Sequence, residues 1–153
     1  MHLSRNFTLK ELTTSQTAQR LGIDNTPEPI HLIALGALCH TILQPVREHF
    51  GRPVVVSSGY RCAELSKAVG SSEKSQHCRG EAADFEVVGV SNLEVAQWIE
   101  SMLKDAVDQL ILEGFDGRPD SGWIHCSHSR CSEQRRQILR TSDFKNYLPG
   151  LIA

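Results

Sequence analysis

Residues 81–89, "EAADFEVVG", constrain the fold of this chain more than any other stretch. They alternate, so that Ala83, Phe85 and Val87 share one face of an extended strand and Ala82, Asp84 and Glu86 share the other. A strand of this kind needs a sheet with one face under an apolar layer and the other free to carry polar groups. Gly80 permits a turn immediately before it.

The apolar layer can come from the first fifty residues. "FTLKELTTSQTAQRLG" reads as short amphipathic helical turns, with Ser15 as an N-cap and Gly22 as a stop. From Glu28 to about Phe50, Ile30, Ile33, Leu35, Leu38, Ile42, Leu43 and Val46 recur at helical spacing. Pro45 is expected to kink or end that helix, and Gly51 to close it. "PVVVSSGY" reads as a strand, "RCAELSKAVG" as a short helix ended by Gly70, and Ser91 with Glu94 as a capping box opening a helix to about Lys104. "VDQLILE" and "WIHCS" are strands joined by the loop "GFDGRPDSG", and a last strand lies in "RRQILRT". Helices first, then strands mixed with short helices, predict a single α+β domain over residues 1–153: N-terminal helices on a small, largely antiparallel sheet.

Composition excludes several classes. A net charge of -2 provides no basic surface for nucleic acid or an anionic membrane. No uninterrupted apolar run approaches the roughly 18 residues that predict a membrane span. "MHLSRNFTLKEL" has no signal-peptide core, so synthesis in the cytoplasm is expected, with action elsewhere only after release or export by another factor. The five cysteines are odd in number and lack a CxxC pair, so no disulfide framework is expected and most read as buried small residues.

The polar face of the 81–89 strand is where the chemistry gathers. In "SQHCRGEAAD", His77 lies in a loop and Asp84 on the following strand, and a chain folding back at Gly80 can aim both at one point. Imidazole nitrogen and carboxylate oxygen are both zinc ligands, and catalytic zinc takes three protein ligands plus water. His125 of "WIHCSH" is the best third ligand, because it sits mid-strand between apolar neighbours where an unpaired imidazole is costly. His2, His31, His40 and His49 read as ordinary hydrogen-bonded side chains. A structural zinc on Cys126, His128 and Cys131 fits no common finger spacing, and Cys126 should point away from His125. Cys78 adjoins His77, but adjacent residues rarely form a nucleophile–base pair; it reads as an oxidation-sensitive thiol beside the site.

Together, "SSGYRCAELSKAVGSSEKSQHCRGEAADF" and "WIHCS" resemble the zinc D-Ala-D-Ala carboxypeptidase family, which includes phage L-alanyl-D-glutamate endopeptidases and vancomycin-resistance D,D-dipeptidases. Ser75, His77, Gly80, Ala82 and Asp84 match its S-x-H-x-x-G-x-A-x-D motif, and Trp123 and His125 its W-x-H. "FTLKELTTSQTAQRLGIDNTP" and "LQPVREHFGRPVVVSSGYR" resemble its small phage and prophage branch, so the likeness covers about residues 6 to 128.

The resemblance implies zinc held by His77, Asp84 and His125, a hedgehog/DD-peptidase-like fold, and hydrolysis of peptidoglycan stem-peptide bonds involving D-amino acids. It implies that Arg61 grips a substrate carboxylate or carbonyl, for which a planar guanidinium is suited. Ser75 and Gln76 either hydrogen-bond the substrate backbone or cap their own loop. The general base is where the chain departs from better-known members, which carry an acid or a histidine two or three positions before the last zinc histidine. Trp123 and Gly122 stand there instead. Glu113, at the end of a strand expected to pair with "WIHCS", is the preferred base, and the loop residue Asp120 the alternative. A monomer acting on peptidoglycan peptides is expected. The rival reading is a noncatalytic zinc-containing cell-wall binding module of the same fold.

Overall fold

The N-terminal segment folds into short, individually capped helices. Thr8 and Glu11 form a reciprocal capping box around α1 (Leu9–Thr13), and Ser15 caps α2 (Gln16–Leu21), which ends at a left-handed Gly22. A computed structural model describes all residues, Met1–Ala153. The long helical segment is α3 (Pro29–Leu38), a π-helical turn over Cys39–Leu43, and α4 (Gln44–Phe50), closed by a left-handed Gly51.

Pro45 does not end that helix. The turn before it widens, the Gln44 N–H bonds back to the Cys39 carbonyl, and the chain stays helical to Phe50. A widened turn suits a residue that has no N–H and whose ring crowds the carbonyl four residues back. The buried stripe is narrower than the spacing predicted: Leu35, Leu38, Ile42, Leu43 and Val46 are fully buried, while Ile30 and Ile33 are exposed. Pro29–Phe50 is long and apolar enough by length and composition to cross a membrane, although it contains no uninterrupted apolar run of that length, because a spanning helix need only be apolar on average. Its apolar side here packs into the core.

Six strands form one sheet in the order β1 (Val54–Ser58), β2 (Ala82–Val87), β4 (Trp123–Ser127), β3 (Gln109–Glu113), β5 (Gln137–Thr141), β6 (Leu148–Pro149). Only the β3–β5 pairing is parallel; the other pairings are antiparallel, as expected. Between the strands lie α5 (Ala63–Ala68) and α6 (Asn92–Met102). Of the capping box expected at α6, the Ser91 half forms.

One sheet face, with Ala83, Phe85, Val87, Leu110, Leu112, Ile124 and Cys126, is buried against the long helix and α6. Of the cysteines, only Cys39 and Cys126 are buried; Cys62 and Cys78 are half-exposed and Cys131 exposed, and all are free thiols. The other face carries Asp84, Gln109, Glu113 and His125 together with the apolar Ile111 and Leu139. Register aligns Asp84 on β2, His125 on β4, Ile111 on β3 and Leu139 on β5 in one row across the sheet.

Candidate metal centre

His77 comes to the sheet in a 3₁₀ turn, Gln76–Arg79. The Ser75 hydroxyl accepts the His77 N–H at 3.3 Å, and a left-handed Gly80 ends the turn. A side chain at Gly80 would lie 2.7 Å from the His31 carbonyl oxygen, so the fold-back is open only to glycine. The Arg61 N–H binds the His77 carbonyl at 3.2 Å and ties the turn to the end of β1. Asp84 and His125 are cross-strand partners of the antiparallel β2–β4 pair, which sets their side chains beside each other.

The potential ligand atoms of His77, Asp84 and His125 lie within 4.8 Å of one another, with His77 Nε2 3.3 Å and His125 Nδ1 2.9 Å from Asp84 Oδ1. His77 Nδ1 lies 2.7 Å from the Gly59 carbonyl, which can only accept, so this nitrogen carries the proton. Burial pushes the His77 imidazole below its ordinary range, against the pull of Asp84. A neutral His77 therefore turns a bare Nε2 lone pair toward a carboxylate oxygen. Two facing acceptors in a buried site need a cation or a proton between them. Burial opposes ionisation of Asp84, but the neighbouring imidazoles, His77 foremost, outweigh it and hold its carboxyl well below the usual range. Two neutral imidazoles and one carboxylate, with an outer carbonyl fixing one ring, are a donor set that fits zinc. No comparable group forms around Cys126, His128 and Cys131; His128 Nδ1 binds the Ala106 carbonyl instead.

These residues line a cleft of about 450 Å³ that also includes Arg61, Ser75, Glu113 and Trp123. The Arg61 Nε is buried and has no hydrogen-bond partner in the protein. Glu113 is in register with Trp123, two residue pairs beyond Ile111 and His125, and so on the metal face of the sheet. Burial pushes the Glu113 carboxyl above its ordinary range; His125 pulls it down, Asp84 adds to the rise, and the Tyr147 hydroxyl opposes it.

Two expected site residues lie elsewhere. Gln76 does not line the cleft; its amide donates to Asp108 and accepts from Arg135, so it braces the turn against the start of β3. Asp120 is exposed and lines a separate hollow with Glu86 and Asn92, because the β3–β4 loop carries it past the end of the sheet. Gly122 is left-handed, and a side chain there would strike the Glu113 carbonyl. The hairpin therefore has no room for an acid at that position.

The C-terminal wall of the cleft went unpredicted. Leu139 and Gln137 reach it from β5, Phe144 stacks on Trp123 with ring centroids 5.4 Å apart, and Tyr147 stands near Glu113. Alternation in "QILRT" offered a signal for Gln137 and Leu139; Phe144 and Tyr147 lie in an irregular segment with none.

The chain matches the family model described as Peptidase M15 over residues 5–127, and it belongs to that family. Comparison with curated protein sequences gives no significant match. The family is one of zinc-dependent peptidases, so the chain is classed as a zinc metallopeptidase, and its His-Asp-His group is one that can hold the metal. The match ends at the close of β4, so β5, β6 and the Phe144–Tyr147 wall lie beyond it.

Proposed function

We propose that this protein hydrolyses peptidoglycan stem-peptide bonds involving D-amino acids, with zinc held by His77, Asp84 and His125. The observation that carries this reading is that Glu113 and Arg61, an acid and a guanidinium with an unpartnered nitrogen, share one cleft with the metal group. Zinc held by His77, Asp84 and His125 would supply a Lewis acid able to polarise a scissile carbonyl and to make water acidic enough to act near neutral pH.

Glu113 takes a proton from the attacking water. The hydroxyl oxygen bonds to the acyl carbon, the C–N bond breaks, and Glu113 delivers the proton to the departing amine. Its raised pKa suits both halves of that exchange, since a carboxylate too weakly basic would not accept the proton. Arg61 holds a carboxylate or carbonyl of the substrate. Ser75, whose hydroxyl already accepts from His77 N–H, keeps a place in the cleft lining for a second polar contact. Family membership supports the hydrolase class; the choice of D-amino acid stem peptides rests on the motif resemblance.

The test is digestion of purified peptidoglycan by the zinc-loaded protein, with and without a chelator, and mass spectrometry of the soluble products. Chelator-sensitive release of peptides is expected. Binding to the wall without any release would favour the noncatalytic module.

A further inference from the structure

Arg61 lines a second groove as well, one of about 550 Å³. Thr14, Gln16 and Thr17 from the α1–α2 junction form one side of it, and Ser57 and Ser58 at the end of β1 form another. Sheet order makes the two hollows neighbours. β1 lies next to β2, Ser58 pairs with the metal-group residue Asp84, and the Ser57 hydroxyl donates to the Asp84 carbonyl at 3.2 Å. The cleft therefore runs across the strands from β5 to β2, and the groove takes over at β1. Its two ends differ. On the β5 side it meets Phe144 and Tyr147; on the β1 side it passes Arg61 into a groove where hydroxyls and an amide outnumber the apolar Val56 and Val69, with Arg61 its only charged residue.

A site built to remove a terminal residue closes around the group that binds the terminal carboxylate, because that charge must be fully paired once it leaves water. Arg61 is instead flanked by space on both sides, and its buried Nε faces no protein acceptor. Such a guanidinium suits a carbonyl or side carboxylate of a chain that continues past it. Hydroxyl and amide linings suit peptide backbone, which supplies donors and acceptors at every residue.

We infer that the substrate chain extends past Arg61 into the groove of Thr14, Gln16, Thr17, Ser57 and Ser58, so that the protein cuts an internal bond of an extended stem peptide. This deepens the peptidase reading above and rests on it.

The test uses a synthetic stem pentapeptide and purified peptidoglycan as probes, with product masses as the readout. Fragments of at least two residues on each side of the cut are expected, with no free D-alanine. Gln16→Trp and Thr14→Trp fill the groove from exposed positions. Each should lower kcat/KM on the extended substrate roughly tenfold through lost remote binding, with zinc content unchanged. Free D-alanine as the main product would overturn the inference while leaving the peptidase reading intact. Internal cleavage that both tryptophan variants leave at the wild-type rate would overturn it as well. No cleavage of either probe would overturn the peptidase reading, and this inference with it.

Discussion

His77 Nε2 stands 3.3 Å from Asp84 Oδ1 while the other ring nitrogen of His77 is held by the Gly59 carbonyl. The outer carbonyl sets the tautomer, and the tautomer sets which nitrogen is free to bind metal. His77→Ala should therefore lower zinc affinity by more than the roughly 10–100-fold typical of losing an outer-shell partner. Metal analysis after dialysis checks this; wild-type stoichiometry in the variant would remove His77 from the ligand set.

Glu113→Gln keeps the shape of the side chain and removes its basicity. The variant should retain zinc and fold yet lose on the order of 100-fold or more in kcat. Asp120→Asn alters an exposed loop outside the cleft and should leave turnover close to wild type. A reversal of the two effects would make the loop acid the base.

Arg61→Lys retains the charge but not the fork. Loss of one charged hydrogen bond, about 1.5–3 kcal/mol, predicts a fall of roughly 10- to 150-fold in kcat/KM with zinc still bound. Unaltered kinetics in both Arg61→Lys and Arg61→Ala would make the residue a bystander.

The pH profile reports on Tyr147. Its hydroxyl favours the ionised form of Glu113, so Tyr147→Phe raises the Glu113 pKa further. A base must be ionised to work, and activity is lost as pH falls through its pKa. The acid limb of kcat/KM against pH should move to higher pH in the variant. A limb that stays in place would separate Tyr147 from the acid–base step.

Gly122 should tolerate no side chain. Gly122→Ala places a Cβ against the Glu113 carbonyl at a φ of 65°, and the left-handed backbone alone costs about 1–3 kcal/mol in a non-glycine residue. Thermal unfolding should show the loss, and Gly122→Asp should be no better despite the acid it adds.

What could be read from the sequence is what depends on near neighbours along the chain. The period-2 alternation of residues 81–89 separated the core face from the face bearing Asp84, because successive strand side chains must point to opposite sides. Ser15 and Gly22 marked the ends of α2 because caps satisfy backbone groups within three or four residues. His77, Asp84 and His125 were legible as a group because their spacing matches the S-x-H-x-x-G-x-A-x-D and W-x-H pattern that the chain resembles. Only the tertiary structure decided the rest. Gln76 binds Asp108 and Arg135, which are distant in sequence. Phe144 and Tyr147 reach the cleft because β5 crosses over to pair in parallel with β3. Asp120 is carried away by the length of its loop, and Arg61 bridges two hollows because β1 lies beside β2. Each of these depends on strand order and on which chain segments exclude water together, and neither is written in any local pattern of residues.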